Sequence, residues 1–110
     1  MYDIQIYMTH DGESPFLDWV NAIEDEKTQA NVYARINRAR FGNFGDAKPL
    51  KNAGGLWEMR IHYGGGYRIY YHVENKKLIL VLAGSGKKEQ KRVIKKAQQY
   101  YNDYIQWRKS

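Results

Sequence analysis

Two short segments hold most of the side chains able to do chemistry. Glu58, Arg60 and His62 alternate along Leu56 to Tyr63, and Arg68, Tyr70 and His72 alternate along Tyr67 to Val73. Guanidinium groups grip phosphate oxygens in bidentate geometry. Imidazole, carboxylate and phenol groups can move protons. That inventory suits cleavage of RNA by its own 2′-hydroxyl. A base assists the attack, cations stabilise the charge developing on the phosphate, and an acid protonates the leaving 5′-oxygen. Arg60 and Arg68 are the candidate cations, and His62, His72, Glu58 and Tyr70 the candidate proton-transfer groups. Loss of one phosphate-stabilising group costs on the order of 3 kcal/mol in the barrier, about a hundredfold in rate. Neither metal nor cofactor is required. Three histidines without a cysteine, with His10 on a separate segment, make a poor ligand set. The competing reading is a solvent-facing sheet surface whose opposite charges pair across strands for ~0.5 kcal/mol.

A second group of cations lies around Ala83-Gly84-Ser85-Gly86-Lys87-Lys88. The string fails as a nucleotide-cradling P-loop: Val81 stands where the first glycine belongs, and Lys88 where Ser or Thr should follow the lysine. Glycines ahead of a helix, with Lys87 and Lys88 beside them, can still hold one phosphate of a longer chain, or they mark a turn that merely needs glycine. Lys51, Lys87, Lys88 and Lys91 are the candidate RNA- or phosphate-binding residues. Charge is unevenly spread. Residues 1–50 carry five Lys/Arg against eight Asp/Glu, a net −3, whereas residues 51–110 carry thirteen against four, a net +9. A basic half on a small protein fits a polyanionic partner, nucleic acid or acidic protein, or else a solvated lysine-rich helix. Of ten tyrosines, Tyr63, Tyr67 and Tyr71 fall on the apolar side of their strands, and Tyr70 is the one expected to stack on a base. Tyr100, Tyr101, Tyr104 and Trp107 either complete the core or await a partner. Arg35 and Arg38, one turn apart, read as solvated.

The elements that must position these groups follow from periodicity. Ile4, Ile6 and Met8 alternate with polar residues in Tyr2 to Thr9, a half-buried strand. Ser14 can cap a helix whose first turn holds Pro15, with Phe16, Val20 and Ile23 on its apolar face. A second helix is expected from near Asp25 to about Phe41, with Val32, Ile36 and Ala39 inward and Gly42 as its stop. Gly42 to Gly55 reads as loose. Trp57, Met59, Ile61 and Tyr63, then Tyr67, Ile69, Tyr71 and Val73, alternate around Gly64-Gly65-Gly66. A three-residue hairpin loop sets Tyr63 opposite Tyr67 and both apolar sets on one face. Arg60 then faces Tyr70, His62 faces Arg68, and Glu58 faces His72. Lys77 to Ala83 is nearly continuous Leu/Ile/Val, as in a central strand covered on both faces. The last helix is expected from Gly86 or Lys87 with Ser85 as cap, and Val93, Ala97, Tyr100, Tyr104 and Trp107 form one apolar stripe along it.

The order β-α-α-β-β-β-α gives an α+β fold: a small, mainly antiparallel sheet with two N-terminal helices and one C-terminal helix. At 110 residues the chain is one domain, residues 1–110. The absence of cysteine excludes disulfides and points to a reducing, cytoplasmic setting. No apolar run is long enough to span a bilayer, and the N-terminus shows no signal-peptide pattern.

Gly55-Leu56-Trp57-Glu58-Met59-Arg60-Ile61, Gly66-Tyr67-Arg68-Ile69-Tyr70-Tyr71, the apolar strand, and Gly86-Lys87-Lys88-Glu89 together resemble the RelE/ParE toxin superfamily, and most of all its HigB-like addiction module killer branch. The likeness covers nearly the whole chain. It implies a RelE-like fold and a type II toxin–antitoxin toxin: a ribosome-dependent, metal-independent endoribonuclease that cuts mRNA and stops translation. It implies as partners the ribosome and mRNA, a cognate antitoxin of the helix-turn-helix HigA-like kind, operator DNA only through the antitoxin complex, and no membrane. By position Arg68 matches the arginine of the family's Tyr-Arg strand, Arg60 a basic residue of the cleft, and Lys88 the basic residue after the Gly-Lys pair. Glu58 stands where RelE has a lysine, and Ile94 where RelE has a catalytic tyrosine. The alternatives are a ParE-like gyrase poison and a non-catalytic nucleic-acid-binding regulatory module.

Overall fold

A computed structural model describes residues 1–109. Five strands form one mixed sheet: β1 (Asp3–Ile6), β2 (Ala47–Pro49), β3 (Trp57–Ile61), β4 (Tyr67–Glu74) and β5 (Leu78–Gly86). Their spatial order is β1-β5-β4-β3-β2. β1 runs parallel to β5, and every other pairing is antiparallel. Three helices cover the sheet: α1 (Pro15–Asn21), α2 (Glu26–Arg40) and α3 (Gln90–Lys109). The α+β class, the three helices and the mainly antiparallel pairing agree with expectation. The short strand β2 is additional. It lies in the glycine-rich stretch read as loose, at the sheet edge, where a three-residue strand ending in proline is tolerated.

The N-terminal helices form as their caps dictate. Ser14 accepts a hydrogen bond from the Leu17 amide and Pro15 occupies the first turn of α1. Asp25 caps α2 by accepting from Lys27 N–H, and Gly42, at φ +92°, follows its end. Phe16, Val20, Val32, Ile36 and Ala39 pack on Met59, Ile61, Ile69, Tyr71, Ile79 and Val81, giving one core between these helices and the sheet. A second core lies on the opposite face, where Val93, Ala97 and Tyr104 of α3 cover Leu56, Tyr70, Leu80 and Leu82. β5 therefore feeds both cores, Ile79 and Val81 to one side and Leu80 and Leu82 to the other. Its unbroken apolar run is the cause. Trp107 continues the stripe of α3 but is 63% exposed.

Three expectations need correction. The hairpin pairs Ile61 with Tyr67, Arg60 with Arg68 and Glu58 with Tyr70, two residues away from the expected register. Residues 62–66 form the loop, with a 3-10 turn at Tyr63–Gly65, so Tyr63 leaves the strand and is 43% exposed. Three consecutive glycines at φ +71°, +98° and +94° permit that wider loop. Faces are unchanged, because a shift of two preserves the alternation. The last helix begins at Gln90, not at Gly86 or Lys87. β5 runs on through Gly86 because Tyr67 and Arg68 pair with Gly86 and Ser85, so Ser85 is a strand residue and not a cap. Finally, the polar hairpin face is not open to solvent. Helix α3 lies over it, and Glu58 and Tyr70 are fully buried.

Candidate functional site

The polar face narrows into a cleft of about 320 Å³ where the hairpin loop meets the turn before α3. Arg60 and His62 come from one side of the hairpin, Gly66, Tyr67 and Arg68 from the other, and Lys87 from the far end of β5. Antiparallel pairing makes Arg60 and Arg68 direct neighbours. Two like charges side by side are destabilising unless something neutralises them. Glu58 does so from beneath. One carboxylate oxygen accepts a hydrogen bond from Arg60 Nε at 3.0 Å and lies 3.4 Å from Arg68 Nε. The other accepts from the Gln90 side-chain amide at 3.0 Å. Arg68 Nε is within ion-pairing range but misaligned for a hydrogen bond, and among the described residues it finds no other acceptor. The Arg68 side chain is 12% exposed and that of Arg60 36%. Both are thus held by their inner nitrogens to a carboxylate without contact to water. Glu58 takes the place of a chemical group with the task of positioning the two guanidinium groups, and burial denies it contact with a substrate.

His62 sits at the mouth, its side chain 74% exposed. Its Nε2 lies 2.7 Å from the Asp46 carboxylate. Asp46 is brought there by the edge strand: its carbonyl accepts from the Arg60 amide at 2.8 Å, immediately before β2 pairs with β3. The hydrogen bond to His62 holds the Asp46 carboxyl below its ordinary range. Such a carboxylate–imidazole pair is competent to shuttle a proton.

The remaining sequence candidates are placed elsewhere. The Tyr70 hydroxyl is bonded to Ser85 Oγ at 2.9 Å, and burial pushes its pKa up to about 12. Fully buried, Tyr70 cannot stack on a base, contrary to expectation. His72 lies along the α3 side of the sheet, its Nδ1 2.9 Å from the Gly55 carbonyl and its Nε2 2.9 Å from the Tyr101 hydroxyl. The carbonyl can only accept, so Nδ1 carries the proton and Nε2 accepts from Tyr101. Both ring nitrogens are engaged, Nδ1 by the loop before β3 and Nε2 by Tyr101 of α3, and His72 does not line the cleft. Ile94, half-buried, packs on the second core. Lys87 lines the cleft, while Lys88 is exposed outside it. Lys91 belongs to a separate exposed cationic surface with Arg92, Lys95 and Lys96 on α3. Lys51 is exposed in the turn between β2 and β3.

Three contributors were missed by sequence reasoning: Asp46, Gln90 and Arg35. Asp46 carried no signal, lying in a stretch read as a loop. Gln90 is the first residue of α3, and only the true start of that helix brings it over Glu58. Arg35, read as solvated, donates to the carbonyls of Arg60 and Phe44. It ties α2 to the backbone of the cleft and to the segment leading into β2.

Residues 18–102 match the family described as phage-derived protein Gp49-like (DUF891). An uncharacterized protein of Haemophilus influenzae is 39% identical over 82 residues, covering 74% of this chain and 81% of that protein. The matched stretch holds α2, all strands but β1, and every residue of the cleft. The chain belongs to the Gp49-like family of phage-derived proteins.

Proposed function

We propose that the protein is the toxin of a type II toxin–antitoxin pair, a HigB-like endoribonuclease that cuts mRNA on the ribosome and is neutralised by a helix-turn-helix antitoxin. The supporting observation is the convergence of Arg60, Arg68, Lys87 and His62 on one cleft, above a buried carboxylate that fixes the two arginines. Membership of the Gp49-like family supports the same setting.

In this reading the scissile phosphate lies between the outer guanidinium nitrogens of Arg68 and Arg60, with Lys87 on the adjoining phosphate. His62, oriented by Asp46, takes the proton of the attacking 2′-hydroxyl or delivers one to the leaving 5′-oxygen. Arginines locked before substrate arrives need no reorganisation when charge develops, which is where electrostatic stabilisation is strongest. A gyrase poison has no need of such a cleft.

The test is a cell-free bacterial translation reaction with the reporter mRNA ends mapped. Cuts within translated codons, absent without ribosomes and lost in Arg68→Ala, support the reading. Intact mRNA with normal protein synthesis overturns it and directs attention to gyrase.

A further inference from the structure

Next to the arginine cleft lies a second, smaller recess of about 230 Å³, walled by Trp19 and Tyr67, floored by Gly84 to Gly86, and edged by Glu89 and Arg92. Tyr67 and Gly86 are direct strand partners, and Tyr67 belongs to both recesses. Trp19 packs against the edge of the core formed by the N-terminal helices and the sheet. It remains half-buried while its six-membered ring rests directly on the backbone of Gly84: a Cβ at that position would come within 2.1 Å of it. Phe16 flanks the indole at 5.9 Å and Tyr67 meets it nearly edge-on at 6.0 Å. The ring is therefore held in one orientation before any ligand arrives. The recess is smaller than the ~300–1,000 Å³ of pockets for drug-sized molecules, which suits a single ring system.

We infer that this recess is a nucleobase subsite. It takes one unstacked base of single-stranded RNA, from a nucleotide neighbouring the phosphate bound by Arg60 and Arg68. The inference rests on the RNA-cleaving reading above and adds the base contact that reading lacks. Every base has a π-face for an aromatic wall. Lys87 on the cleft side and Arg92 on the far side leave cations for the phosphates before and after that base. The rim also carries hydrogen-bonding groups of opposite kind, since the Glu89 carboxylate can accept from an exocyclic amino group and the Arg92 guanidinium can donate to a ring nitrogen or carbonyl. The subsite thus has the means to prefer some bases over others.

The experiment uses the full chain carrying Trp57→Phe and Trp107→Phe, so that Trp19 is the one tryptophan left to be excited selectively at the red edge of its absorption. It is titrated with a short 2′-O-methyl oligoadenylate, which cannot be cleaved, and with an abasic oligomer of equal length and charge. The expected result is quenching of Trp19 by the base-bearing oligomer only, with binding roughly tenfold tighter than for the abasic one. Trp19→Leu in the wild-type background should abolish that difference, and Glu89→Gln should change which base is preferred. Equal binding of both oligomers with unquenched Trp19 overturns the subsite, whether or not Trp19→Leu folds. The cleavage assay stays separate. Cutting without base discrimination leaves the nuclease reading standing and removes the subsite, while discrimination without cutting does the reverse.

Discussion

The cleft and the outer face of α3 are both cationic, yet they differ in what holds the charge. Arg60 and Arg68 are anchored on Glu58, which is fully buried and further bonded by Gln90. Lys91, Lys95 and Lys96 project from a helix into solvent. Fixed guanidinium groups can be aimed at one phosphate oxygen, and their effect is large because they need no reorganisation when charge develops. Solvated ammonium groups attract a polyanion over a distance set by salt and discriminate little. The same formal charge thus supports chemistry in one region and recruitment in the other.

The sharpest test of that contrast is removal of the anchor. Glu58→Ala leaves two adjacent guanidinium groups without their buried counter-ion and should cost about 3 kcal/mol or more of stability, measured by urea unfolding. A loss below 1 kcal/mol would mean that water reaches the pair and the preorganisation argument fails. Arg68→Ala should lower the cleavage rate about a hundredfold. Arg68→Lys should recover only part of it, because a lysine cannot reproduce the fork. If Lys restores full activity, only net charge matters and the two regions are alike. On α3, Lys91→Ala with Lys95→Ala should flatten the log–log salt dependence of RNA binding by about 1.4, at ~0.7 per neutralised phosphate. An unchanged slope would remove α3 from the RNA-binding surface. The smallest effect concerns Tyr70. Its neutral form is favoured by burial, so its contribution to stability is complete below pH 10 and is lost as the pH rises towards 12. Tyr71, also raised to about 12, acts in the same direction. Tyr70→Phe should cost about 1 kcal/mol at neutral pH through the lost Ser85 bond, and should make alkaline unfolding shallower.

Much of this organisation was legible in the residues, and the failures have identifiable causes. Alternation placed Glu58, Arg60, Arg68 and Tyr70 on one face because side-chain direction depends only on parity. Parity is blind to a shift of two, so pairing of Arg60 with Arg68 required knowing that the glycine loop opens to five residues. Burial of that polar face was misread although the signal was present. A strand apolar on both sides, as Leu78 to Ala83 is, requires a cover for its second face, and α3 is the element left to supply it. The start of α3 was misplaced because Ser85 has two uses, as a helix cap or as the partner of Tyr70. Local sequence carries no information about a hydroxyl fifteen positions away. Asp46 was unreadable because β2 is defined by its neighbour and not by its own composition.

The parallel pairing of β1 with β5 has a consequence for biosynthesis. Ile4 cannot find its partner Ile79 until β5 has left the ribosomal tunnel. Glu58 and Tyr70 stay uncovered until α3 follows. Non-local pairings of this kind slow folding, and the cleft is finished last because Lys87 and Gln90 come after every strand. Nascent or prematurely terminated chains would therefore display Leu56, Leu80 and Leu82 to quality control instead of an assembled arginine pair. On the function proposed above, the cell that makes the toxin is spared its activity until α3 has packed over the sheet.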